Sequence, residues 1–139
     1  MIETTEDLIE AIRTRPKFVA ESLHRLGRFG GQHPTSTVLM HSLDVYYRIF
    51  KLTKYRKHIL TWAALHDVHE LLSGEITRNW KTNGIVTRQT DVDFTIQGSL
   101  GIVLTQHEKE SIDLHDEISG DQELHFGATF VYPVPSDIA

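Results

Sequence analysis

The chain has 139 residues, 40% of them hydrophobic and 24% charged, with a formal net charge of −5. That is enough for one domain burying about two thirds of its unfolded surface, and the acidic balance argues against a protein that coats nucleic acid or an anionic membrane. With no cysteine in the chain, disulfides, thiolate zinc sites and cysteine nucleophiles are excluded together, which leaves His, Asp and Glu as metal ligands.

The opening MIETTEDLIEAI is acidic and amphipathic, without the basic and apolar regions of a signal peptide. No apolar run approaches the ~20 residues that span a bilayer, so a cytosolic location, bacterial or in a virus-infected cell, is expected. Thr4 or Thr5 can cap a first helix carrying Glu6 and Asp7 in its first turn and Leu8, Ile9 and Ile12 on one face, as far as Pro16. After Pro16, Phe18, Val19, Leu23 and Leu26 recur at helical spacing, and the Gly-rich RFGGQHPT reads as a loop. Thr35 or Ser36 opens a third helix with a broad apolar face of Val38, Leu39, Ser42, Leu43, Tyr46, Ile49 and Phe50, and His41 lies inside it.

The basic KLTKYRKH connects to ILTWAALHDVHELLSG, a strong helix signal that Gly74 is placed to stop. Residues 75–88 turn polar and contain an Asn83-Gly84 turn signal, so a loop is expected there. Two further helices are predicted over about residues 89–105 and 107–119, separated near Thr105. The tail FGATFVYPVPSDIA, interrupted by Pro133 and Pro135, reads as extended. No repeat and no βαβ alternation is present, so an all-α bundle of about five or six helices in one domain, with a C-terminal tail from 121, is expected.

The chemistry concentrates in AALHDVHELLSGEI. On a helix, residues three and four apart share a face, so Glu70 lies one turn beyond His66 and Asp67. An imidazole and a carboxylate side by side can share a metal, but two ligands leave a first-row ion underbound. His41, a polar residue midway through an apolar helix, is the leading third ligand. Asp113, beside Ile112 on a later helix, is the leading fourth, with Asp116 in reserve. Neutral His with ionised Asp suits Mn, Co, Fe(II), Ni or Zn better than Mg, which favours an all-oxygen shell. Taken alone, a helix histidine is more often a core or surface residue, and a His-Asp doublet is as readily a local cap or ion pair; only their combination points to a metal.

These residues carry a resemblance. The pattern H…HD…D, here His41, His66-Asp67 and Asp113, resembles the HD-domain metal-dependent phosphohydrolases. Arg28-Phe29, His41-Ser42, LHDVHE ending at Glu70, Gly74-Glu75 and Lys81 look like the branch of bacterial 5′-deoxynucleotidases and phage dATP triphosphohydrolases. The similarity covers about residues 25–120. Met40 stands where that branch has Glu, Glu75 where it has the Asp of GD, and the prolines that commonly follow are missing.

The resemblance implies a divalent ion that polarises a phosphoryl oxygen and acidifies a water, with Glu70 as general base or water-positioning group. It further implies that Arg28 and Lys81 meet phosphate, as a planar fork and a point charge respectively. Phe29 would stack on the base, and Glu75 would accept a sugar 3′-hydroxyl and serve the reaction beside Glu70. The expected substrate is a 2′-deoxynucleotide attacked at its 5′ phosphate, dATP first and a dNMP as the nearest alternative. A catalytically idle HD scaffold that senses a metal or nucleotide is the rival of another class. A homo-oligomer, dimer or hexamer, is implied by the resemblance alone, and no nucleic-acid polymer or membrane partner is expected. His69 could reach the edge of the cluster, and His33 lies beside the Gly-Gly loop within reach of phosphate.

Overall fold

In the computed structural model, residues 2–27, 37–52, 55–73 and 83–126 are described, with backbone alone at 73, 83–89 and 123–126. Every element among them is helical: α1 (Thr5–Thr14), α2 (Pro16–Arg25), α3 (Val38–Phe50), α4 (Lys57–Leu65), α5 (Glu70–Ser73), α6 (Asn83–Leu100) and α7 (Gln106–Phe126). The expected all-α architecture is therefore what the chain adopts. None of the described helices is long and apolar enough to cross a membrane. α7 runs on to Phe126, past the end expected near 119 and into the stretch from 121 expected as a tail; residues beyond Phe126 lie outside the described residues.

The helix starts follow from local chemistry. Thr4 accepts from the Asp7 backbone N–H at 3.1 Å while the Asp7 carboxylate accepts from the Thr4 backbone N–H at 3.2 Å, a reciprocal capping box. Pro16 opens α2, where its fixed φ fits and its missing N–H costs nothing. Thr37 caps α3 through the Met40 N–H, one residue past the expected cap. A second capping box opens α7: the Glu108 N–H donates to Thr105 Oγ1 at 3.1 Å, and the Thr105 N–H donates to Glu108 Oε1 at 2.9 Å.

α6 differs from expectation at both ends. It begins at Asn83, inside the stretch read as a turn, because Asn and Gly favour helix N-termini as well as turns. It stops at Leu100, earlier than Thr105, because Gly101 takes a left-handed φ of 69°. The N–H of Ile102 then donates to the Gln97 carbonyl and that of Gly101 to the Gly98 carbonyl. These two bonds cap the helix and free the chain to turn.

The core is assembled around α3. Val38, Leu39, Leu43, Val45, Tyr46 and Ile49 are buried, so most of its circumference faces protein, and it packs against α2, α4 and α7. α4 contributes Ile59, Leu60, Trp62, Ala63 and Ala64, while α1 adds Leu8, Ile9 and Ala11. In α7 the buried stripe is sparse and partly polar: Ile112 and Ser119 are buried, and Leu114 is exposed. A polar side chain on that stripe is therefore turned toward α3, which is what builds the site.

Candidate metal centre

The continuous helix expected across ILTWAALHDVHELLSG is interrupted. α4 ends at Leu65, and residues 66–69 form tighter turns before α5. Val68 donates to Leu65, Glu70 to Asp67, Leu71 to Val68 and Leu72 to His69, all three residues back instead of four. With about three residues per turn, side chains three apart eclipse one another. His66 is thereby aligned with His69 and Asp67 with Glu70.

His41, His66, Asp67 and Asp116 bring one potential ligand atom each within 4.8 Å of all the others. His41 Nε2 lies 2.5 Å from Asp116 Oδ1 and 3.6 Å from Asp67 Oδ2. His66 Nε2 lies 3.4 Å and 3.3 Å from the same two oxygens. Ligands held about 2.1 Å from one ion are separated by roughly 3 to 3.5 Å at octahedral or tetrahedral angles, so these spacings are close to those of a shared coordination shell. His66 Nε2 is buried and makes no hydrogen bond, although both carboxylates face it.

The far nitrogens explain how the rings are aimed. His66 Nδ1 is 2.7 Å from the Ala63 carbonyl, a pure acceptor, so Nδ1 carries the hydrogen and Nε2 is left as the ligand atom. His41 Nδ1 is 3.2 Å from Ser119 Oγ, whose own hydroxyl donates to Asp44 Oδ2 at 2.6 Å. The hydroxyl hydrogen is thus committed to Asp44, His41 donates from Nδ1, and Nε2 again faces the carboxylates. The short contact between His41 Nε2 and Asp116 then needs a cation between the two atoms, either a proton or a metal ion.

Charge agrees with that reading. Burial, the largest single influence on His66, opposes its charged form, yet Asp67 and Asp116 outweigh burial and hold it well above the ordinary histidine value. Burial likewise opposes the charge on Asp67 and Asp116, and the imidazoles overcome it and hold both carboxyls below the usual range, His66 acting first on Asp67 and His41 first on Asp116. The centre is walled by protein on the histidine side, where the His41 side chain is 0% exposed, and opens at Asp116, whose side chain is 43% exposed. The residues present therefore fit a divalent transition ion, though nothing in the donor set chooses among Mn, Co, Fe, Ni and Zn.

Of the expected ligands, His41, His66 and Asp67 meet, and the fourth is corrected from Asp113 to Asp116. The phase of α7 is the reason: at about 100° per residue, Asp116 falls between Ile112 and Ser119 on the stripe facing α3, whereas Asp113 is rotated away and exposed. Asp113 stays close enough for burial and then Asp116 to raise its carboxyl above the ordinary value. Glu70 is buried in the turn beside Asp67. Arg28, Phe29, His33, Glu75 and Lys81 lie outside the described residues. Ser119 and Asp44, which orient His41, were not among the expected residues; their signal was spacing alone, three residues after Asp116 and after His41.

The fold and the site together define an all-helical protein with a His/Asp group able to hold a metal ion. No protein-family model, no curated protein and no solved structure matches the chain.

Proposed function

We propose that the protein is a metal-dependent phosphohydrolase of the HD type, acting on a 2′-deoxynucleotide at its 5′ phosphate, with dATP as the first substrate to test. The observation that carries the reading is the convergence of His41, His66, Asp67 and Asp116 from α3, the 66–69 turn and α7, with both outer Nδ1 atoms committed elsewhere. The choice of a deoxynucleotide rests on the resemblance of the sequence motifs.

A divalent ion held by these four residues supplies Lewis-acid polarisation of a phosphoryl oxygen and makes a water more acidic. The chain does the rest. Ala63 and Ser119 fix the two rings, so that little reorganisation is needed when a ligand arrives. Glu70, desolvated beside Asp67, accepts the proton of the attacking water. The open side at Asp116 admits the phosphate; that Arg28 and Lys81 serve as its cationic partners is implied by the resemblance of the sequence motifs alone. The nucleoside takes the adjoining cleft of about 290 Å³ lined by Trp62, Asp93, Phe94, Lys109 and Asp113; Phe94, 60% exposed, offers a face for base stacking.

Purified protein loaded with Mn or Co is incubated with dNTPs, dNMPs and their ribose counterparts, and released phosphate, triphosphate and nucleoside are measured. Turnover of a deoxynucleotide, lost in Glu70→Gln while metal is retained, is the expected result. Retained metal with no turnover of any deoxynucleotide refutes it. Phe94→Ala should raise KM with kcat little changed, since stacking serves ground state and transition state alike.

A further inference from the structure

We infer that the cavity between α1, α4 and the end of α6 binds an organic anion, its carboxylate or phosphate head held by Arg13, Lys57 and His58 and its aliphatic body laid over Ile12, Leu65 and Ile102. These six residues line a cavity of about 420 Å³, within the roughly 300 to 1,000 Å³ of ligand pockets. None of its lining residues lines the cleft proposed for the nucleoside or belongs to the His/Asp group. The inference therefore stands apart from the proposed reaction.

The charge on the lining has one sign. Arg13 and Lys57 line the cavity, and among the described residues no carboxylate does. In a chain with 19 acidic residues against 14 Lys and Arg, an average patch of surface would carry more acids than bases, so this is a local reversal. A concave site lined by one sign of charge concentrates ions of the other. The donors are also held in place. Arg13 donates from Nη2 to the Ser99 carbonyl, which ties the guanidinium to the end of α6 and leaves its other N–H groups for a planar anion. The Val103 N–H donates to His58 Nδ1 at 2.9 Å, so the ring carries its hydrogen on Nε2 and offers it as a donor.

The rest of the lining selects the body of the ligand. Ile12, Leu65 and Ile102 are aliphatic, and among the described residues no Phe, Tyr or Trp lines the cavity to stack on a nucleobase. The Thr61 hydroxyl donates to the Lys57 carbonyl at 2.9 Å, so its hydrogen is not offered to a base edge. Apolar walls with a few placed donors orient a molecule that has an alkyl chain and a charged head. A nucleotide finds its charge partners here and nothing for its base.

The test is a titration of the isotope-labelled full chain, with no metal added, followed by backbone-amide NMR. Octanoate and hexyl phosphate are the two anions, and the tighter one names the head group. Saturable shifts centred on residues 12–16, 57–65 and 99–103 are expected. Octanol, which keeps the body and lacks the charge, should bind at least about 10-fold more weakly, and octanoate should lose a similar factor in Arg13→Gln and in Lys57→Gln. The spectra of the variants show whether the fold is kept, and Lys57, on the exposed first turn of α4, serves as the check on Arg13, whose loss also removes the bond to Ser99. Shifts centred elsewhere, no saturable shift at millimolar anion, octanol binding as tightly as octanoate, or undiminished binding in both variants overturns the site. A deoxynucleoside monophosphate that moves these amides as strongly as octanoate overturns the aliphatic body. None of these outcomes bears on the metal centre.

Discussion

Two regions tie the α4 segment to α7 with charged side chains, and they are built on opposite principles. At the start of both helices, Arg56 donates from Nε to Glu108 Oε2 at 2.9 Å and from Nη2 to Glu108 Oε1 and the Val103 carbonyl, while Glu108 also completes the capping box with Thr105. Every charge there meets its opposite within the chain. At the far end of α4, Asp67 and Asp116 face two imidazoles whose other nitrogens are already committed. That arrangement brings four potential ligand atoms together and could hold a metal ion. The corner closes on itself, whereas the centre gathers donor atoms from three parts of the chain at one point. The lesson is that buried His and Asp donors aimed at one point mark a candidate site, whereas an ion pair that also caps a helix marks a structural one.

If the two regions are as different as this, substitutions should separate them. The largest effect belongs to His66→Ala, which should weaken metal binding at the centre by more than ~100-fold, the upper end of what loss of an orienting partner costs, with the metal-free fold retained; calorimetric titration and a thermal melt check both halves. Ser119→Ala comes next: it leaves all four ligands in place but frees His41 Nδ1, and should cost about 10- to 100-fold in affinity. If Ser119→Ala instead lowers the melting temperature and leaves metal affinity untouched, the residue belongs with the corner and the contrast fails.

The corner should respond in the other currency, stability. Glu108→Ala removes half a capping box and the partner of Arg56, and should cost about 1 to 2 kcal/mol in denaturant unfolding, with a smaller effect on metal affinity than Ser119→Ala. Its pH dependence has a definite sign. Hydrogen bonds from Arg56 first, then the Thr105 backbone, hold the Glu108 carboxyl at about 2, against an ordinary 4.5. A carboxyl depressed in the fold stabilises above its unfolded value and loses that contribution as pH falls. The stability difference between wild type and Glu108→Gln should therefore be constant above pH 4.5 and shrink toward pH 2. Smallest is Thr4→Ala, about 1 kcal/mol from the exposed cap of α1, with no change at either region.

Much of this was legible in the sequence, and what was missed has physical causes. Thr4 with Asp7, Pro16 and the apolar run of α3 mark helices by chemistry that acts within a few residues, so their positions could be read directly. His41, His66 and Asp67 stood out as polar groups in apolar surroundings. Asp116 did not, because α7 carries few apolar residues and Leu114 and Ile118 suggest competing phases; only packing against α3 decides which carboxylate turns inward. The break at 66–69 was equally hidden, since every residue of ALHDVHELL is compatible with an unbroken helix. The difference between the two hydrogen-bond patterns is settled by tertiary contacts.

The reciprocal cap at Thr105–Glu108, clamped by Arg56, lies eight residues before Asp116, about 12 Å along α7. A rod held at its base points its far end accurately. Twisting that base by a single residue would carry the aspartate a quarter of the way round the rod and bring a different side chain to the imidazoles. The corner therefore sets the aim of the interior, and a rotation of α7 begun there would change which carboxylate faces His41 and His66.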